Sequence, residues 1–468
     1  MKRTHILVAA VLAWLSGIVF AANYITQVKV WQVTIVVIFA VVASRILSNR
    51  LIVWPVILLG VILGIMRGQM YFTDQRWYDV SDVVGRRATV TGRVADEPGW
   101  NDDRLYEFYL TDLRVDGRAT PGLLKIKSQV GNVQEGQRVQ VQGKIGKALG
   151  RAPAQIWYAK VVVIDSRQPY PIRLKQTLSQ GLAAALSREQ AGLVRGLLFG
   201  GRAGISDSLE SDMRIDGLSH IVAVSGYNLT IIVAALMLIM KRKSPISLIA
   251  SLAAIGFYVV MTGFAASIVR AAIMGTVILV AAHVRRQVSL WSALVVTVWV
   301  MTAYAPNYLL GDMSWQLSVL ALVGVLAVVP RIENAVGWRA LIGEFFIVSC
   351  AAHLATAPLI AYRFGTMSLI SPITNLVILP WIPLLMLGGV IVASIGVIAP
   401  LSAFTLSWPL RMLLDVVLRL IKWFAQWPYA QLTFGEISLA GVLLSYVCLC
   451  SILAISLIHS RKRASKTV

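Results

Sequence analysis

Acidic residues, cysteine and histidine are all scarce in this chain. Against 43 lysines and arginines there are 22 aspartates and glutamates, and only five histidines in 468 residues. The three cysteines, Cys350, Cys448 and Cys450, lie in apolar segments and never as C-x-x-C, so neither a redox pair nor a thiolate metal site is expected. The histidines stand at 5, 220, 283, 353 and 459, with no pair at metal-ligand spacing, which argues against zinc. No G-x-x-x-x-G-K-[ST] run occurs, since Gly143 and Lys144 are followed by Ile145 in a candidate strand. The expectation is therefore a chain with no metal, no cofactor and no catalytic residues: not an enzyme, and without an ATPase of its own.

Apolar sequence fills the space these absences leave. Hydrophobic residues make up 57% of the chain and charged residues 14%, for a mean hydropathy of +0.73. Many apolar runs approach the ~20 residues a spanning helix needs. The fold class expected is a polytopic α-helical membrane protein. The net charge of +21 belongs in part to topology, because Lys and Arg in short loops set orientation. Residues 1–70 read as three N-terminal transmembrane helices: an uncleaved first one, preferred over a signal peptide ending at Val19–Ala21, then 30–47 and 51–66. Lys2, Arg3, Arg45 and Arg50 would be cytoplasmic, which puts the segment after residue 67 outside.

Residues 71–170 have a different character. Alternating runs at 87–95, 105–113, 122–128, 137–145 and 156–164, punctuated by glycine, predict five strands and a small β-barrel, with the OB-fold as leading candidate. The domain carries 15 basic and 12 acidic residues. Between Gly136 and Ile164, however, Arg138, Lys144, Lys147, Arg151 and Lys160 have no acidic neighbour, and Trp157 and Tyr158 lie among them. Basic grooves with aromatic platforms hold single-stranded nucleic acid, so these seven form a candidate DNA-binding set. A solvated basic loop with core aromatics is the competing reading. Residues 171–216 show helical leucine spacing and predict amphipathic interfacial helices, or helices capping the mouth of a bundle. Ser206 is a candidate N-cap.

The segment 217–459 reads as the main membrane domain, followed by a basic cytoplasmic tail at 460–468. Spans are expected near 218–240, 246–262, 264–282, 288–305, 312–330, 341–361, 370–398 and 436–458. A ninth, 403–424, carries Arg411, Asp415, Arg419 and Lys422 and either spans or lies in the interface. Polar groups at membrane depth are costly unless they face a cavity or a partner. They concentrate in a few places. Ser219, His220, Ser225, Gly226 and Asn228 crowd one apolar run, where Ser and Gly favour a bend or break. Arg270 stands inside another run with Ser267 one turn earlier, and Asp312 opens the span that holds Gln316. Arg270 and Asp312 are candidates for an ion pair, with a helix cap as the alternative for Asp312. Ser371 and Asn375, among Pro372, Pro380 and Pro383, predict a second broken helix. His353 and Thr356 share a face, where interhelical hydrogen bonds are the simplest role.

Four motifs in this region carry a resemblance. His220–Leu229 resembles the H-L-L-A-I-S-G-L-H-V signature of the ComEC family, with Asn228 in place of the second histidine. Met261–Met274 resembles its T-G-F-x-x-S-x-x-R-A-x-x-M. Gly311–Ser318 resembles its D-x-G-F-Q-L-S, with Ser314 and Trp315 as departures. Ala357–Gly365 and Ser371–Pro380 resemble its L-P-x-x-x-x-F-G and S-x-x-x-N-L-x-x-x-P.

Members of that family bring transforming DNA into competent bacteria. The resemblance implies an extracytoplasmic OB-like domain inserted after the first helices. It also implies a cytoplasmic (inner) membrane channel that translocates single-stranded DNA in natural transformation. Channel-lining candidates are Ser219, His220, Ser225, Gly226, Asn228, Ser267, Arg270, Asp312, Gln316, Ser371 and Asn375. Partners implied are single-stranded DNA, an extracytoplasmic DNA receptor, a separate cytosolic ATPase or helicase motor, a separate nuclease and the lipid bilayer, with a homo-oligomer left open. The metallo-β-lactamase-like domain that ends many members is expected to be missing. The rival readings are a secondary transporter for a small polar solute, which leaves the inserted domain unexplained, and a membrane assembly protein that transports nothing.

Overall fold

The computed structural model of the chain describes residues 3–24, 53–74, 84–95, 98–100, 105–120, 123–129, 133–147, 154–201, 204–222, 224–239, 244–336, 341–435, 437–438, 440–449 and 451. The predicted span at 30–47, the tail from 460 and Arg151 lie outside the described residues.

Two apolar helices, α1 (Arg3–Tyr24) and α2 (Val53–Asp74), come first. They pack closely because Gly17, Gly60 and Gly64 leave no side chain between the backbones. The barrel follows: β1 (Arg87–Val94), β2 (Gly99–Trp100), β3 (Tyr106–Val115), β4 (Arg118–Thr120), β5 (Leu124–Ser128), β6 (Arg138–Lys147), β7 (Ala154–Ile156) and β8 (Lys160–Asp165). Five strands close on themselves in the order β1-β3-β5-β7-β6-β1. Every pairing on that circuit is antiparallel except β5 with β7. Alternation explains the closure. Val90, Leu110, Leu124, Ile126, Val139, Val141, Ile145 and Ile156 point inward and are fully buried, each worth about 1.5–3 kcal/mol. The strand predicted at 156–164 is broken in two. Tyr158 takes φ +51°, which kinks the chain at Trp157–Tyr158, and β8 then resumes the antiparallel pairing along β6 one residue out of the register of β7.

Helices α3 (Tyr170–Ala185), α4 (Arg188–Phe199) and α5 (Asp207–Ile215) follow. A buried ion pair, Lys175 to Glu135 at 2.8 Å, fastens the barrel to α3. Further helices among the described residues are α6 (Ser219–Val222), α7 (Gly226–Ile239), α8 (Pro245–Met261), α9 (Ala266–His283), α10 (Leu290–Tyr304), α11 (Asn307–Gly311), α12 (Met313–Val336), α13 (Leu341–Phe364), α14 (Ser371–Ile378), α15 (Ile382–Ile398), α16 (Pro400–Leu406) and α17 (Trp408–Ala425), with Ala440–Leu449 beyond them. A short ladder pairs β9 (Thr366–Ser368) with β10 (Gln431–Thr433). Among the described residues four helices are long and apolar enough to cross a membrane, or five if α16 and α17, bent by 58°, count as one span. Six shorter apolar helices accompany them, and the chain is a multi-pass membrane protein.

Two expectations change. The amphipathic helices are packed against the bundle rather than standing free of it. Leu182, Leu193, Val194, Leu197 and Leu209 share one core with α15 and α17, and Gly181 of α3 meets Gly396 of α15 backbone to backbone. That core uses the charges of α17. Arg411 donates to the Ala185 carbonyl at 2.8 Å and Asp415 accepts from Gln190 at 2.8 Å. The second predicted break is slighter than expected: a single 3-10 turn, Leu379–Trp381, joins α14 to α15, and 371–398 reads as one span.

Candidate functional site

Val224 and Ser225 are not helical, and α6 is one short turn separate from α7 in the apolar run that begins at Leu218. Neighbouring side chains hold the interruption open. Ser267 of α9 donates to the Val224 carbonyl at 2.8 Å, and Ser225 donates to the Asn228 side-chain oxygen at 3.2 Å. Asn228 in turn donates to the Leu197 carbonyl at 2.9 Å, at the end of α4. Asn228 is 1% exposed, so it is enclosed and bonded rather than open to a lumen beside Arg270.

Gly226 opens α7 against α9. A Cβ there would meet Ala271, with the Arg270 guanidinium 3.3 Å away. The missing side chain is what lets the cation reach the first residue of the helix. Among the described residues, Arg270 Nε is buried with no hydrogen-bond partner, and Arg270 makes no ion pair with Asp312. The reason lies in the backbone: Asp312 accepts from the Trp315 N–H at 2.8 Å and caps α12. Gln316 folds back onto the Leu309 carbonyl at 2.8 Å.

On the other side of α6, Ser219 lines a small cavity with Ile205, Glu210, Met213 and Val222. His220 keeps an exposed ring with Nδ1 3.0 Å from the Gly217 carbonyl. Gly217, at φ +73°, packs directly on Ser371. Asn375 donates to Ser349 at 3.0 Å and to Ser371 at 3.3 Å, while His353 reaches the Ser368 backbone. So the structure brings Ser225, Gly226, Asn228, Ser267 and Arg270 together at one break. It brings Ser371 and Asn375 to the Gly217 turn, and leaves Asp312 and Gln316 at the α11–α12 junction.

Sequence reasoning missed Asp216, which precedes the spans of this half. It is 0% exposed, and among the described residues neither carboxylate oxygen has a hydrogen-bond partner. Loss of solvent, with the Asp212 charge adding to it, pushes its carboxyl up to about 7. The available signal was an acid directly before the glycine that opens the apolar run.

On the barrel, Arg138, Lys144 and Lys160 are exposed, Lys147 ends β6, and Trp157 and Tyr158 are 43% and 64% exposed. The register adds residues the sequence reading passed over. Arg87 faces Lys144, and Arg93 faces Arg138. Ile156 pairs with both Ile145 and Ile126. Lys127 Nζ sits 4.1 Å from the Trp157 ring centre. Arg87 and Lys144 thus pair on β1 and β6, and Trp157, just past the end of β7, stacks with Lys127 of β5, which has Glu107 3.9 Å away as its acidic neighbour. Period-two alternation in β1 would have placed Arg87 and Arg93 on the outward face.

A family model described as Competence protein matches residues 197–458. The chain is 30% identical to ComE operon protein 3 of Bacillus subtilis (strain 168) over 241 residues, which is 50% of this chain and 30% of that protein. It is 25% identical to Competence protein ComA of Neisseria gonorrhoeae over 236 residues, 47% of this chain and 33% of that one. The match spans about a third of the length of these curated relatives. No solved structure matches the chain.

Proposed function

This chain belongs to the ComEC family of competence proteins, and from that membership we propose that it passes single-stranded DNA through a bacterial inner membrane during natural transformation. The observation that carries the reading is Arg270 at the start of α7. Its guanidinium lies against Gly226 with Nε buried and, among the described residues, unpartnered. A helix N-terminus holds about half a positive charge, so two positive groups meet in an apolar bundle where an unpaired arginine is expensive. An anion between them relieves both, and helix N-termini with arginine are phosphate sites. The backbone phosphates of a passing strand supply such an anion repeatedly.

The barrel fits the same path. Its closed five-strand circuit supports the OB-like reading, and its basic residues with Trp157 suit the backbone and base faces of a single strand. In this reading the barrel is extracytoplasmic and receives the strand from a receptor outside. A separate cytosolic ATPase or helicase pulls, a separate nuclease degrades the other strand, and this chain performs no catalysis.

The test is Arg270→Ala and Arg270→Lys at the native locus, reading protein level and nuclease-protected internal DNA together. A charge-assisted contact is worth about 1.5–3 kcal/mol, so Arg270→Ala at normal abundance loses at least about tenfold of the DNA internalised. Arg270→Lys keeps part of it. Normal internalisation in Arg270→Ala would remove this site from the path.

A further inference from the structure

The Asp216–Gly217 turn joins α5 to α6 and lies against the polar end of α14. Thr374 donates to the Asp216 carbonyl at 2.8 Å, and Gly217 touches Ser371 and Ser368. Four buried atoms in these adjoining residues have no hydrogen-bond partner among the described residues: both carboxylate oxygens of Asp216, Ser368 Oγ and Asn375 Oδ1. All four are oxygens, the ligand type of hard cations. An isolated carboxylate buried this completely costs several kcal/mol unless a positive charge meets it.

Among the described residues no side chain supplies that charge. On α5, Asp212 bears on Asp216 as a like charge, Asp207 and Glu210 are also acidic, and Arg214 is exposed. On α6, His220 turns its Nδ1 to the Gly217 carbonyl. On α13, His353 reaches the backbone of Ser368. The strand β9 and helix α14 carry no charged residue. On α17, Arg411, Asp415 and Lys422 bond to Ala185, Gln190 and Glu189, and Arg419 is exposed.

We propose that the Asp216 carboxylate, in the turn that packs on Ser368 and Ser371, binds a small monovalent cation, a proton or a sodium ion, that neutralises it. One carboxylate among neutral oxygens suits a single positive charge. Among the described residues there is no group of three or more His, Cys, Asp or Glu that would hold a divalent ion. The C-terminal end of α5 adds a partial negative charge at the same point. Because the turn is the root of α6, occupancy of the site holds the short half of the broken helix in place. This inference does not depend on what the bundle transports.

The test uses the purified full chain in detergent. Thermal unfolding is followed across pH in sodium chloride and in the chloride of a bulky organic cation. The folded carboxyl titrates above its ordinary value of 3.8. Its stabilising contribution is therefore complete below that value and is lost as pH rises through about 7. The expected result in the organic salt is a melting temperature that steps down across this window. Sodium restores it on the alkaline side if sodium is the ligand, and the two salt curves coincide if the proton alone is. Asp216→Asn removes the step and any sodium effect. Asp212→Asn, by deleting the like charge, moves the step to lower pH. The wild-type chain also gives a direct readout, a carboxylic-acid infrared band at acid pH that fades through the same window. A flat melting curve with no such band, or an Asp216→Asn chain that keeps the step, overturns the proposal.

Discussion

Replacing Asn228 separates a structural brace from a pore wall. Its side chain donates to the Leu197 carbonyl and accepts from the Ser225 hydroxyl. Leu197 is among the last four residues of α4, whose carbonyls have no partner within the helix. Asn228→Ala leaves that carbonyl buried and unpaired, at about 1–3 kcal/mol. Asn228→Leu adds apolar bulk at a site with 1% exposure, and overpacking adds roughly another 1–3 kcal/mol. Losses of about 1–2 kcal/mol change cellular abundance several-fold. Both variants should therefore melt lower in detergent and accumulate poorly, with Leu worse than Ala. DNA internalised per molecule should stay near normal. The assay is melting temperature, immunoblot and protected DNA measured side by side. An Asn228→Leu chain with wild-type melting and abundance refutes the brace, and if it also blocks DNA it shows that Asn228 lines an open path.

Lys175→Met should destabilise the full chain by about 3–5 kcal/mol, because it removes the cation 2.8 Å from the buried Glu135 carboxylate. The double change Glu135→Gln with Lys175→Met should recover much of that loss, as read by melting in detergent. Reversing Arg87 and Lys144 to glutamate should weaken single-strand binding by the full chain. It should also flatten the salt dependence by about 0.7 in log–log slope for each phosphate that is no longer neutralised.

Much of this architecture was legible, for a physical reason in each case. Period-two alternation located the inward residues of the barrel because inward packing is what closes it. Ser225 and Gly226 marked the break because a helix has little to lose there. What stayed hidden was pairing across long sequence separations. Arg411 and Asp415 read as charges that compromise a span, yet they bond to Ala185 and Gln190, more than two hundred residues earlier. Asp312 fitted both a cap and an ion pair, and only the Trp315 N–H decided it. The positive φ of Tyr158 left no trace in the alternation that predicted one strand across it. Asp216 passed unnoticed among acids expected on a solvated helix, since nothing in its neighbours announces burial.

Three arginines of the helical regions differ in what they were given. Arg411 received a helix C-terminus, where the Ala185 carbonyl offers negative potential. Arg67 received the same from the Ala303 and Tyr304 carbonyls at the end of α10. Arg270 received the opposite, the start of α7, made reachable by the absent side chain of Gly226. A guanidinium that only braced the fold would be served best by a carbonyl end, and this fold supplies such ends to Arg411 and Arg67. Placing one at an N-terminus, beside a break held open by Ser267 and Asn228, costs stability in the empty protein. On the proposed reading a phosphate of the transported strand would recover that cost, and Arg270→Ala tests it.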